Sequence, residues 1–414
     1  SHLKLPGFSR CFELHPHQKD AIWRSLQDRA VLFDHVVGAG KTFTGAHMIR
    51  TLVEAGKRVG VTAMSHHAID NLMEAVVDCF DAEGAALRAV RKARSGSVDG
   101  VEYIDDNTKC ATGPFDVIAG TPWLFASDAM REHPVDVLIV DEAGQLGLAD
   151  TLAASISATN VILLGDPRQL GQVVKATHPG RSGVSALEHL LGADGLTVQP
   201  DRGVLLDVTW RMHPDVCGFI SDLMYEGKLT SEPSCARQTT SAGTGLRWRR
   251  ADHSGRSTES PEEADIVVDL VADLIGTDWT DQHNVTRPLT TDDFIVVAPY
   301  NNQRRLLAAA LDARPSTAGV EVGTVDKFQG REAAVVLFSM ATSSAELIPR
   351  TADFLFSKNR LNVAVSRARC LAYLICTPEL LDTRARTVAE MELISALCSF
   401  AERGSPQIML DPQV

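Results

Sequence analysis

The feature that most constrains this chain is an alternation of short apolar runs with longer amphipathic stretches. Ala30–Phe33, Arg58–Ala63, Val117–Ala119, Val135–Val140 and Val161–Leu164 are rich in β-branched residues and lack strict polar alternation. That is the pattern of strands buried on both faces of a parallel sheet. Between them, Thr42–Ala55 and Ala68–Cys79 carry apolar residues at helical spacing. Strands alternating with helices predict an α/β, doubly wound domain.

The pattern then restarts. Val204–Val208, Phe294–Val297, Val320–Val325, Ala334–Phe338 and Leu371–Ile375 form a second strand set. A chain of 414 residues is too long for one ordinary core. Two domains are therefore expected, residues 1–200 and 201–414, with Gly192–Gly203 as the linker. Segments 84–114 and 231–261 read as loop-rich, either surface insertions that meet a track or partner or plain connecting loops.

A formal net charge of −13 does not advertise nucleic-acid binding, but a local basic stripe matters more than the sum. Arg88, Arg91, Lys92 and Arg94 form one cluster, and Arg247, Arg249 and Arg250 another. Each is either a solvated charge run or a phosphate contact. No apolar run approaches the roughly 18 residues of a membrane helix, and no hydrophobic signal region opens the chain. A cytoplasmic protein is expected. The first residue is Ser1 rather than methionine, and the natural chain is expected to extend further N-terminally. The 8 cysteines form no Cys-x-x-Cys pair, so buried small hydrophobes are expected rather than zinc or iron–sulfur ligands.

Val31 to Thr42 runs strand, glycine-containing loop, helix, the context a phosphate-binding loop requires. Backbone N–H groups of Gly38, Ala39 and Gly40 would point at an anion. Lys41 would reach the β and γ phosphates of ATP, and the Thr42 hydroxyl a Mg²⁺ ion. His35 stands where the usual pattern has glycine, so an altered loop entry is expected. Val135 to Val140 is an apolar run that ends in Asp141 and Glu142. Asp141 suits the Mg²⁺ shell, and Glu142 can polarise the water that attacks the γ-phosphate. The same carboxylates could instead merely cap the following helix. Leu163 to Leu170 ends another strand and places Gln169 where an amide could sense the γ-phosphate.

The order of Gly-Ala-Gly-Lys-Thr, Asp-Glu-Ala-Gly-Gln and Gly-Asp-Pro-Arg-Gln-Leu resembles the superfamily 1 helicases. Four later segments select the 1B branch of RNA-decay and replication helicases: 209–214, 297–303, 323–332 and 362–369. Seven segments in family order cover Gln18 to Arg369. The chain is further similar to the helicase half of bacterial proteins with an N-terminal RecB-like nuclease. The resemblance implies two tandem RecA-like domains with parallel sheets and ATP in the interdomain cleft.

It also implies roles. Gln18 matches an adenine-reading amide. Trp210 matches an aromatic that packs on the base. Arg211 and Arg367 match arginines that reach the γ-phosphate from the second domain. Glu332 matches a carboxylate near the ribose. A nucleic-acid strand is expected to meet Ser65, His66, Thr121, Pro299, Tyr300, Thr324, Asp326 and Phe328, with Tyr300 or Phe328 stacking on bases. His66 and His67, adjacent and without a third ligand, are not expected to hold a metal.

The expected function is an ATP-dependent translocase or helicase, 5′-to-3′ on single-stranded nucleic acid, with DNA favoured over RNA. Two alternatives stay open: an ATP-switched clamp that does not separate strands, and a motor module feeding a separate nuclease domain.

Overall fold

The computed structural model describes residues 16–27, 30–35, 38–169, 171, 179, 182–192, 197–328, 331–349 and 352–405. The chain divides after Asp207 into two compact units.

In unit 1 the strands are β1 (Ala30–His35), β2 (Val59–Thr62), β3 (Ala89–Lys92), β4 (Val101–Ile104), β5 (Val117–Ala119), β6 (Val135–Val140), β7 (Ala158–Gly165) and β8 (Gly203–Leu206). The helices are α1 (Pro16–Gln27), α2 (Lys41–Glu54), α3 (His66–Asp81), α4 (Asn107–Thr112), α5 (Pro122–Phe125), α6 (Asp128–Glu132), α7 (Leu148–Ser155) and α8 (Ala186–Leu191). The strands form one sheet in the order β4-β3-β5-β2-β6-β7-β1-β8, every neighbouring pair parallel.

Both faces of this sheet are covered, which is why its strands need no polar alternation. Val137 and Ile139 of β6 pack with Ile49, Leu52, Leu72 and Val76 of α2 and α3. Leu138 and Val140 face the other way, into a core with Leu124, Phe125, Met130 and Leu187. Each such side chain, fully buried, contributes about 1.5–3 kcal/mol.

Two expectations are corrected here. The run beginning at Val204 was assigned to the second strand set, but β8 pairs with β1 in the first sheet, Leu206 opposite His35. Periodicity identifies a strand without naming its neighbour. Segment 84–114 is also more than a loop: β3 and β4 extend the sheet beyond β5. The charges of β3 hid it. Arg91 is buried there because Asp70 Oδ1 accepts from its Nε at 2.9 Å, so a buried cation has its partner.

In unit 2 the strands are β9 (Val208–Thr209), β10 (Thr230–Ser231), β11 (Thr239–Thr240), β12 (Gly245–Arg250), β13 (Asp278–Thr280), β14 (Thr286–Pro288), β15 (Phe294–Val297), β16 (Glu321–Gly323), β17 (Ala333–Ser339) and β18 (Ala368–Cys376). The helices are α9 (Pro214–Met224), α10 (Pro261–Leu274), α11 (Asn301–Ala313), α12 (Ala352–Leu355), α13 (Lys358–Val365), α14 (Pro378–Leu381) and α15 (Val388–Gly404). The main sheet is parallel, in the order β12-β18-β17-β15-β16. Its core joins Val296, Val335, Leu337 and Leu371 to Val267, Val271, Leu307 and Leu311. Segment 231–261 thus contributes a strand, β12, carrying the Arg247, Arg249 and Arg250 cluster.

The two main sheets repeat one arrangement. β5-β2-β6-β7-β1 in unit 1 and β16-β15-β17-β18-β12 in unit 2 have the same order when the five strands of each are ranked along the chain.

Candidate nucleotide site and nucleic-acid interface

β1 keeps extended backbone through His35, which pairs with Leu206. Any residue adopts that conformation, so glycine is not needed at this point. Gly38 and Gly40 follow with φ of 76° and 75°, the left-handed region that L side chains resist. Gly40 caps α2, and a Cβ added to it would lie 3.2 Å from Gln18 Nε2. The buried Gln18 of α1 therefore sits against the loop. Ala39 is buried and Thr42 half-buried in the first turn of α2, whose leading N–H groups have no intrahelical partner.

Lys41 is bonded through its ammonium to Glu142 Oε1, and lies 3.3 Å from Asp141 Oδ1. Burial pulls the Lys41 pKa down, but the Asp141 and Glu142 charges more than offset it and hold it above the ordinary lysine value. Asp141 is buried, and burial pushes its carboxyl up; Lys41 opposes this and Glu142 adds to it, leaving the group above the usual carboxylate range. Glu142 has φ of 51°, and its N–H donates to Asp141 Oδ1 at 2.9 Å.

The backbone explains this turn. The N–H of Asp141 continues the ladder to the Thr62 carbonyl at 2.8 Å, and that of Ala143 donates to the Leu164 carbonyl at 2.8 Å. Contact between the turns after β6 and β7 is closed by two glycines. A Cβ on Gly165 would lie 2.8 Å from the Gly144 nitrogen, and one on Gly144 2.8 Å from the Asp166 carbonyl oxygen. In the turn after β7, Gln169 Nε2 donates to Asp166 Oδ2 at 3.0 Å.

In unit 2, Trp210 is exposed and Arg211 donates from Nε to Glu332 Oε2 and from a guanidinium N–H to the Ser366 carbonyl at 3.2 Å. Burial raises the Glu332 carboxyl, but Arg211 foremost, with Arg369 and Arg367, brings it below its ordinary value. Arg367 is buried and donates to the carbonyls of Val363, at 3.0 Å, and Arg331, at 3.1 Å. Arg369 lies 3.9 Å from Glu332, a neighbour that motif spacing did not single out.

Among the expected strand contacts, Ser65 caps α3 by accepting from Ala68 N–H at 3.0 Å, and His66 begins that helix, exposed. Thr121 occupies the N-cap position of α5. Pro299, Tyr300 and Thr324 line a cavity of about 440 Å³ with Phe354 and Arg360. Tyr300 stacks on Phe354 with centroids 5.8 Å apart, and the Arg360 guanidinium lies 4.4 Å over the other ring. Phe328 does not fit its expectation. It is fully buried beneath Gly323 and cannot stack on a base. The side chain of Asp326 lies outside the described residues.

Two family models, each described as an AAA domain, match residues 13–186 and 183–379. DNA-binding protein SMUBP-2 of Mesocricetus auratus is 26% identical over 450 residues, covering 90% of this chain and 44% of that protein. The DNA replication ATP-dependent helicase/nuclease DNA2 of Xenopus laevis is 26% identical, covering 89% of this chain and 38% of its own length. The chain is similar to ATP-dependent helicases of superfamily 1. It spans less than half the length of these relatives. The helicase/nuclease among them agrees with the similarity to nuclease-linked helicases.

The crystal structure of DUF1998 helicase MrfA bound to DNA and AMPPNP matches with a TM-score of 0.51 and 10% identity, over 94% of this chain and 51% of that one. At that identity the likeness concerns fold alone. Both units are RecA-like α/β domains with parallel main sheets, as superfamily 1 helicases have. Among the described residues no helix is long and apolar enough to cross a membrane.

Proposed function

We propose that this chain is an ATP-hydrolysing motor that translocates 5′-to-3′ on single-stranded DNA. The observation that carries the reading is the grouping of Lys41, Asp141 and Glu142 beside two left-handed glycines at the start of α2. Two carboxylates face one ammonium there, so the site is short of positive charge while Asp141 is buried. Such a balance favours a cation. The residues therefore fit Mg²⁺ with ATP: Thr42 and Asp141 as protein oxygens for the ion, Gly38 to Lys41 for the phosphates, Gln18 for adenine. Mg²⁺, when bound, neutralises charge on the phosphates.

In this reading Lys41 exchanges its carboxylate partners for phosphate oxygens, which releases Glu142 to accept a proton from the attacking water. Gln169 would sense the γ-phosphate, and Trp210, Arg211, Glu332 and Arg367 of unit 2 would contribute to ATP binding and turnover. Direction and the preference for DNA follow the family branch and the nuclease-linked relatives. Turnover with and without single-stranded DNA or RNA of equal length tests the motor. Stimulation by the strand, and a loss of about 10²–10⁴ in Glu142→Gln, are expected. Equal, strand-independent turnover in both proteins would sink the proposal.

A second reading follows from the helicase/nuclease relative, of which the chain spans 38%: a motor segment that feeds a nuclease elsewhere in a longer protein. Mg²⁺-dependent cleavage of DNA by the purified chain would count against that division of labour.

A further inference from the structure

The repeat between the main sheets pairs two corners. In unit 2, β15 and β16 leave the sheet side by side, and β16 is followed at once by Thr324. In unit 1, the equivalent β2 and β5 are neighbours in register, Val61 opposite Ala119, and β5 is followed by Gly120 and Thr121. The unit 2 corner is a cavity with an aromatic floor. Its unit 1 counterpart instead exposes large apolar side chains: Met64 at 44% and Trp123 at 65%.

The local fold does not require that tryptophan. The turn of α5 directs Pro122, Leu124 and Phe125 inward, at 2% exposure or less for the last two, and leaves Trp123 outside. A polar residue would serve packing as well, whereas a solvent-facing indole offers a large flat face.

In the segment that follows β2, the orientation of His66 is fixed from behind. Arg91, buried, donates from its guanidinium to His66 Nδ1 at 2.7 Å and from Nε to Asp70 Oδ1 at 2.9 Å. Guanidinium has no acceptor, so Nδ1 must accept and the ring proton sits on Nε2. The exposed imidazole thus presents one donor of defined position.

We propose that Trp123 is the base-stacking contact of unit 1, laying its indole face on an unpaired base while His66 Nε2–H donates to the same nucleic-acid strand. This rests on the motor reading and adds to it the residue that grips the strand in unit 1. Stacking on an aromatic side chain tolerates any base, as a translocating motor needs.

The test measures binding of a fluorescently labelled deoxythymidine oligonucleotide to the whole chain carrying Trp123→Ala, Trp123→Phe, or Leu152→Ser as an exposed apolar control on α7. Trp123→Ala is expected to weaken binding about 5- to 150-fold, the equivalent of the ~1–3 kcal/mol that stacking one base contributes. Trp123→Phe should recover most of the loss, and Leu152→Ser should bind as wild type. The oligonucleotide concentration for half-maximal ATPase stimulation should rise in Trp123→Ala by the same factor, with turnover at saturating strand retained. Wild-type binding by Trp123→Ala, or equal losses in the Ala and Phe variants, would overturn the stacking role and leave the motor reading standing. Absence of strand binding or stimulation in the wild-type chain would overturn both.

Discussion

Glu142 has a left-handed backbone, φ 51°, at the position proposed to activate water. A non-glycine residue held there costs on the order of 1–3 kcal/mol. Glu142→Gly removes that strain along with the carboxylate. Chemical denaturation should therefore find the variant at least as stable as wild type, by up to about 1 kcal/mol, while its ATP turnover falls to background. Marked destabilisation would mean that the Lys41–Glu142 ion pair outweighs the strain. Glu332 supports a pH prediction. Its folded pKa lies below the ordinary carboxylate value because Arg211 outweighs burial. Its contribution is thus present above the unfolded value of about 4.3 and is lost as pH falls through the folded one. The stability difference between wild type and Glu332→Gln should be open at neutral pH and close on acidification; a gap that widens in acid would contradict the assignment.

At the scale of elements, the turns after β6 and β7 depend on backbone contact at Gly144 and Gly165. Gly165→Ala places a methyl 2.8 Å from the Gly144 nitrogen, and rigid backbone cannot yield as a side chain does. A cost of about 1–3 kcal/mol is expected in thermal unfolding, together with weaker nucleotide binding. Retained stability would show that the two turns can separate. The same elements mark what the sequence could reveal. β2, β5, β6 and β7 were legible because burial on both faces leaves continuous apolar runs. β3 was not, because Arg91 and Lys92 disguise a strand whose charges are paired by Asp70 of α3 and by Asp105 after β4. Lys41, Asp141 and Glu142 were legible as a local pattern at strand ends. Arg369, Phe354 and Arg360 were not, since only tertiary folding brings them to Glu332 and Tyr300. Phe328 was misassigned because an aromatic residue after a strand reads alike whether it faces solvent or core.

At the scale of the whole chain, each unit has its own apolar core, so unfolding in denaturant should depart from two-state behaviour. Unit 2 also holds a buried hydrogen-bonded pair, His253 Nε2 and Glu263 Oε1 at 2.9 Å with both side chains 0% exposed. Glu263 further accepts from Ser339 Oγ at 2.6 Å and Ala341 N–H at 2.9 Å. Glu263→Ala strands these donors and should destabilise unit 2 by about 1–3 kcal/mol for each one left unpaired, shifting one transition in calorimetry and leaving the one that responds to nucleotide in place. Movement of both together would indicate a single cooperative body. The pairing of β1 with β7 and β8 sets a timetable for synthesis. His35 finds Leu206 only after about 170 further residues have emerged, on the order of ten to thirty seconds at ordinary elongation rates. β7 emerges about 40 residues before that, and until then the strand that carries the phosphate loop lacks at least one neighbour. The phosphate-binding segment leaves the ribosome early yet is among the last parts of the site to be locked, and a nascent chain stalled before β7 would expose it to chaperones and proteases alike.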